Sequence, residues 1–294
     1  MNFWMQTKLK SLLLKLDYKS DGITYRHPKR KVIFVGDYVD RGPQIPETLA
    51  IVKGMVDSGD AIALMGNHEY NAICYHTYVD SGSPLREHSP KNIKQHAETI
   101  GQFKGKESEL AEYIDWFKTL PLFIELDGLR VVHACWDEEN ISLLTKYLGG
   151  NQLTDQALFD AQNGNDDLFK AFEVVLKGRE IALPPAYSFV DKDGHTRNEI
   201  RVRWWEDSSK ATYKRYSILE DIPLPDMPVP LDGDAKFYGA IEIPVFFGHY
   251  WLTSEPGLFR ENVCCLDYSV AKGGRLVAYR FNGERTLSLS GFCY

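Results

Sequence analysis

The chemistry in this chain is concentrated in Gly36-Asp37-Tyr38-Val39-Asp40-Arg41-Gly42, Gly66-Asn67-His68-Glu69, Val132-His133-Ala134 and Gly248-His249. Asp37, Asn67, His133 and His249 together offer a carboxylate oxygen, an amide oxygen and two imidazoles. That set suits a borderline divalent ion such as Mn, Fe, Zn or Co better than Ca or Mg. An acid and an arginine stand beside it. Each ligand follows an apolar run closely, and a glycine precedes or flanks most of them, so the backbone can turn sharply and approach a ligand. Singly, a Gly-Asp at a strand end is usually a turn, and a lone His is usually a packed or solvated side chain. Gly-Asp-x-x-Asp-Arg-Gly followed by Gly-Asn-His-Glu is another matter, because two independent motifs in order rarely coincide. His27, His76, His88, His96 and His195 lie in polar or helical context and read as solvated.

The elements that must position these residues follow from periodicity. Leu9, Leu12, Leu13 and Leu16 give Gln6 to Leu16 the spacing of an amphipathic helix. Lys31 to Val35 and Ala61 to Met65 are short apolar runs ending at glycine, read as buried strands. Between them Pro46 to Asp57 reads as helix, with Gly59 just past its end. That order argues for a βαβ layer with parallel pairing. Glu107 to Leu120 is a further helix, and Leu122–Glu125 and Leu129–His133 are strands. Asn140 to Lys177 reads as mostly helical, and Tyr187 to Trp205 as a hairpin around Asp193-Gly194. Pro244–Phe247, Val263–Leu266, Arg275–Phe281 and Thr286–Ser290 read as strands of a more antiparallel sheet. The class is α/β (α+β), in one domain over 1–294 with an insertion or cap at about 136–240. Its ligands sit at the carboxyl ends of strands, where sites gather.

Composition sets the outer bounds. At 294 residues the chain can bury a sizeable core, and 44% hydrophobic with 26% charged residues is ordinary for a globular protein. A net charge of -7 speaks against nucleic acid as the partner, yet allows a phosphorylated substrate, since a bound dication reverses the local field. The five cysteines, Cys264-Cys265 adjacent, read as free thiols of a reducing cytoplasm. The sequence offers no membrane-length apolar run.

The first two islands resemble the signature of the calcineurin-like metallophosphoesterases, in the phosphoprotein phosphatase (Ser/Thr protein phosphatase-like) branch. Arg41 after the second Asp favours that branch. His133 and Gly248-His249 resemble the family's later histidines, with Cys135 where a glycine is usual, and Cys265-Leu266-Asp267 with Gly273-Gly274-Arg275-Leu276 resembles its closing strand pair. The resemblance implies a β-sandwich of two mixed sheets flanked by helices. It implies hydrolysis of phosphoric esters with divalent ions, Mn first among them. Asp37, Asn67, His133 and His249 would be the metal ligands. His68 would protonate the leaving group, with Asp40 holding its other nitrogen. Arg41 would grip the phosphate. Alternation puts Arg201 and Arg203 on one strand face, and Arg203 reads either as a second arginine or, equally, as a solvated hairpin charge.

The family's Asp-x-His-Gly loop, which supplies a first metal, has no counterpart before Gln6. The expectation is therefore a missing first strand, an exposed strand edge, an incomplete first metal site and reduced activity. A shortened version of a normal enzyme is favoured over a one-metal enzyme and over a non-catalytic binding protein. The substrate is expected to be a phosphorylated protein or a small phosphate ester, with dinucleoside polyphosphate hydrolysis as the alternative. Trp204, Trp205, Tyr213 and Tyr216 stand as wall residues of a substrate pocket or, more often for such clusters, as packing. A calcium loop at Asp191-Lys192-Asp193-Gly194 is poor, because no Glu closes it at the twelfth position.

Overall fold

The strand Val32–Phe34 is built of β-branched and aromatic residues and pairs in parallel with Ala61–Ala63, in the register Val32↔Ala61, Ile33↔Ile62, Phe34↔Ala63. The helix Ile45–Asp57 joins them, with a proline in its first turn, so the expected βαβ unit is present. The computed structural model describes residues 5–22, 24–79, 82–190, 194, 196–219, 222–230 and 237–294. Phe3, Trp4, His195 and Asp191 to Asp193 therefore lie outside the described residues.

A mixed four-stranded sheet forms the second layer. Its order is Val263–Cys265, Val245–Phe247, Leu129–Val132, Phe123–Leu126, with the first three parallel and the last antiparallel to its neighbour. The parallel pairing of Val245–Phe247 with Val263–Cys265 corrects the expectation of a largely antiparallel end to the chain. Antiparallel pairs do follow, Asp267–Tyr268 with Arg275–Leu276 and Ala278–Tyr279 with Phe292–Cys293. Arg275 to Phe281 thus splits into two short strands, and Thr286 to Ser290 is not one. The expected Tyr187–Trp205 hairpin is short, Phe189–Val190 with Thr196–Arg197, because Glu199–Arg201 pairs instead with Glu180–Ala182.

Parallel strands share one carboxyl end. His133, His249 and Asp267 each follow a strand of this trio and arrive at the same edge. The Gly248 N–H donates to the His133 carbonyl at 2.8 Å and ties two of the loops together. Behind His249, Phe247 is fully buried against Trp204 and Trp205, with ring centroids 5.2 and 5.5 Å away. Tyr213 and Tyr216 are buried in a smaller satellite cluster. These four aromatics are packing, not pocket wall.

Helix Pro90–Gln102 was absent from the sequence reading. Ser89 caps it and Pro90 opens it. Its apolar Ile93 and Ile100 are exposed, while His96 and Thr99 are buried. An inverted face of this kind defeats an apolar-periodicity search.

Val32–Phe34 has a partner strand on one side only among the described residues. The Val32 N–H bonds Asp60 and the Phe34 carbonyl accepts from Leu64, both toward the Ala61–Ala63 side. Alternation turns the Ile33 N–H and carbonyl the other way. There a cavity of about 280 Å³ runs beneath the helix Met5–Lys15, lined by Leu9, Leu13, Leu16, Val32 and Phe34 and reaching Asp37 and His133.

Candidate metal centre

The Gly36–Asp37 turn and Gly66 pack backbone to backbone. Gly36 has φ +101°, and a Cβ there would lie 2.7 Å from the Gly66 backbone and from His133 Nδ1. A Cβ at Gly66 would meet Asp37 N at 2.5 Å. Only glycine allows this approach.

Glu69 fastens the same turn. Its buried carboxylate accepts the N–H groups of Asp37 (2.8 Å), Tyr38 (2.7 Å) and Gly66 (2.9 Å). Burial, and then the Asp37 charge, push its pKa up to about 7. Glu69→Ala would strand these donors at about 1–3 kcal/mol each. Thermal or urea unfolding should show a loss of about 3 kcal/mol or more; a loss below 1 kcal/mol would mean that water replaces the carboxylate.

Around this floor four donors converge. Asn67 Oδ1 lies 2.9 Å from His249 Nδ1 and 3.2 Å from His133 Nε2, which is 3.4 Å from Asp37 Oδ1. The ligand atoms of Asp37, His133 and His249 all lie within 4.8 Å of one another. His133 Nδ1 sits 2.5 Å from the Val35 carbonyl, which can only accept, so Nδ1 carries a proton and Nε2 is the nitrogen turned toward Asn67 and Asp37. Burial, and then the Arg201 charge, hold His249 well below the usual histidine range and so neutral. Its Nε2 is buried without a hydrogen-bond partner among the described residues. Two imidazoles, an amide oxygen and a carboxylate fit a divalent cation. Asp37 (φ 63°) and His249 (φ 73°) hold left-handed backbone, strain of a kind that gathers at functional sites.

His68 stands beside the donors with its Nδ1 2.7 Å from Asp40 Oδ2. Burial opposes its cation, but the charge of Asp37 and the bond to Asp40 push its pKa up to about 9. Burial would likewise raise Asp40, yet hydrogen bonds from His68 and His96 hold its carboxyl well below the usual range. His96 is therefore no solvated residue. Its Nδ1 is 2.5 Å from Asp40 Oδ1, and its Nε2 is 3.0 Å from Nε2 of the half-buried His76. His88 is half-buried, stacked on Tyr75 at 3.8 Å and bonded to the Tyr75 carbonyl at 3.0 Å. Helix Pro90–Gln102 turns His96 inward, and His88, just before that helix, is held by Tyr75.

Arg41 lines the cavity, its guanidinium 4.6 Å from the Trp251 ring centroid and its Nε buried without a hydrogen-bond partner among the described residues. Lys272 lies at the same distance from that ring. Arg203 is turned elsewhere, donating to the Ser217 carbonyl at 3.1 Å and lying over Phe259. Arg201 is the arginine whose charge reaches His249. Sequence reading also passed over Asp267, which accepts the N–H groups of Trp251 (2.9 Å) and Ser269 (3.1 Å) and fixes the loop after His249. An acid two residues past a buried strand was its signal.

The sequence profile of the calcineurin-like phosphoesterases matches residues 9–249. The symmetrical bis(5'-nucleosyl)-tetraphosphatase of Janthinobacterium sp. (strain Marseille) is 26% identical over 97% of this chain and 92% of its own. That of Methylobacillus flagellatus is 26% identical over 87% and 83%. The asymmetrical bis(5'-nucleosyl)-tetraphosphatase PrpE of Oceanobacillus iheyensis is 28% identical over 43% of this chain, which spans 50% of that relative's length. Among solved structures, a cold-active protein-tyrosine phosphatase of a psychrophilic Shewanella sp. aligns with a TM-score of 0.49 and 18% identity, over 92% of this chain and 70% of that one.

Proposed function

The chain belongs to the calcineurin-like phosphoesterase family of metal-dependent phosphoric ester hydrolases, and on that premise we propose that it hydrolyses dinucleoside polyphosphates. The observation that carries the reaction type is the convergence of Asp37, Asn67, His133 and His249: both histidines meet Asn67 Oδ1, and His133 Nε2 also lies 3.4 Å from Asp37 Oδ1. The substrate class rests on the symmetrical tetraphosphatases, which align along most of both chains. It was the alternative in the sequence reading, and it displaces a phosphoprotein substrate.

A divalent ion would polarise a phosphoryl oxygen and lower the pKa of its water. The mixed oxygen and nitrogen donors favour Mn, Fe, Zn or Co. Asp37, Asn67, His133 and His249 would hold one ion per chain. His68 would hand its Nε2 proton to the departing oxygen, with Asp40 fixing Nδ1. Arg41 would bind phosphate oxygens through its planar fork. Arg201 serves as the second arginine better than Arg203, and Lys272 adds a further cation beside Trp251. Residues 136–240 form the cap of a single domain, and the five unpaired thiols support a reducing cytoplasm. Among the described residues no helix is long and apolar enough to cross a membrane.

The test is hydrolysis of P1,P4-di(adenosine) tetraphosphate with Mn, beside p-nitrophenyl phosphate and a phosphoserine peptide. Two diphosphates mark a cut at the central bridge; a mono- and a triphosphate mark an off-centre cut. Release from the peptide alone would replace this substrate reading, and equal background for the chain and His68→Ala would end the catalytic one. Lys272→Ala should raise KM for the tetraphosphate about two- to fivefold, leaving kcat in place, since an exposed cation–π contact or charge contributes about 0.5–1 kcal/mol. An unchanged KM would remove Lys272 from the binding surface.

A further inference from the structure

The helix Pro90–Gln102 grips the metal turn through one face. His96 Nδ1 meets Asp40 Oδ1 at 2.5 Å. Thr99 Oγ1 accepts the Asp40 N–H and donates to the same carboxylate oxygen, both at 2.8 Å. Gln102 accepts the Ile45 N–H and donates to the Gly42 carbonyl, again at 2.8 Å. Spacing of three residues sets these polar side chains along one helix face. They span the turn from Asp40 to Ile45.

Asp40 is 5% exposed and holds a left-handed backbone, φ 68°. A carboxylate there can rotate about its χ angles unless both oxygens are bound. Oδ2 is taken by His68, and Oδ1 by His96 and Thr99. The donors therefore arrive from two elements, and the plane of the carboxylate is fixed between them. A carboxylate accepts only, so His96 carries its proton on Nδ1. When both rings are neutral, the 3.0 Å bond to His76 is made by the His76 Nε2–H onto the free His96 Nε2. The pair His76–His96 is in turn wedged by Tyr75, whose ring lies 5.0 Å from that of His96.

We propose that His96 is a positioning residue for the proton donor: by holding the second oxygen of Asp40 it fixes the direction from which His68 presents its proton. His96 touches neither ligand nor substrate, and it acts only through Asp40. The proposal rests on the hydrolytic reading of the site, and its test separates the two.

The comparison is His96→Ala against His96→Asn, whose amide nitrogen can stand where Nδ1 stands. Loss of an outer-shell partner costs about 10- to 100-fold. His96→Ala should lose that much kcat on an alkyl phosphate, whose alkoxide needs a proton, and about threefold or less on p-nitrophenyl phosphate. His96→Asn should recover most of the alkyl rate. A loss equal on both esters, or no recovery in His96→Asn, would overturn the proposal, because a fault in folding or metal binding spares no substrate. Proton NMR of the metal-free protein supplies a readout independent of turnover. The wild type should show two low-field N–H signals, from His68 and His96 to Asp40. His96→Ala should lose one and shift the other, and an unshifted His68 signal would refute the coupling. If the wild type cleaves neither ester nor P1,P4-di(adenosine) tetraphosphate yet the signals behave as expected, the hydrolytic reading fails and the geometry stands.

Discussion

Asp37→Asn should abolish Mn-dependent hydrolysis. The substitution keeps shape and removes the one carboxylate of the four-residue donor set, which is the member that most favours a dication. Affinity for Mn, read by isothermal titration, should fall well beyond the about 10- to 100-fold that outer-shell changes cost. The wild type should bind one ion per chain. At 100 times its Kd that ion stabilises the native state by about 2.7 kcal/mol, visible as a rise in Tm that Asp37→Asn lacks. A variant that keeps both the affinity and the Tm rise would show that the cluster of Asp37, Asn67, His133 and His249 is not a cation site. The charge has a second effect. Asp37 is the second cause of the raised Glu69 pKa, after burial. Its removal should let Glu69 ionise at lower pH in the metal-free protein.

His68→Asn should lower kcat by about 10²- to 10⁴-fold on an alkyl phosphate, the range general-acid catalysis supplies. The loss should be much smaller for p-nitrophenyl phosphate, whose anion leaves unaided. Metal binding should survive, since His68 is not among the converging donors; a variant that loses Mn as well would move His68 from proton donor to structural support. The metal-free protein offers a pH signature. His68 is raised in the folded state to about 9. A raised base contributes stability below its unfolded value of about 6.5 and loses it as pH climbs through the folded value. The stability advantage of wild type over His68→Asn should therefore be largest near pH 6 and shrink toward pH 9. A constant difference across that window would mean that the Asp40 bond does not depend on the imidazolium.

Much of the site was legible because its residues obey a local rule. Asp37, Asn67, His133 and His249 each follow a buried apolar run, and a run of that kind becomes a strand whose carboxyl end must face one edge in a parallel layer. Glycine at 36, 66 and 248 marked where the backbone comes close. What escaped was the support behind them. His96 and Thr99 lie on a helix whose apolar residues point outward, so periodicity hid the element and composition made its histidines look solvated. Alternation places Arg201 and Arg203 on one strand face and says nothing of which reaches His249. The parallel pairing of Val245–Phe247 with Val263–Cys265 is hidden because an apolar run carries no strand direction; the connection over 248–262 is long enough for a parallel crossover.

The strand Val32–Phe34 carries Asp37 at its end and, among the described residues, is zipped along a single margin. A seam stitched on one side opens more easily than one stitched on both. The amide of Ile33 should accordingly exchange its hydrogen faster than its neighbours at Val32 and Phe34. How long the centre retains its ion should then follow the fraying of that seam, so that metal residence time becomes a gauge of local unfolding.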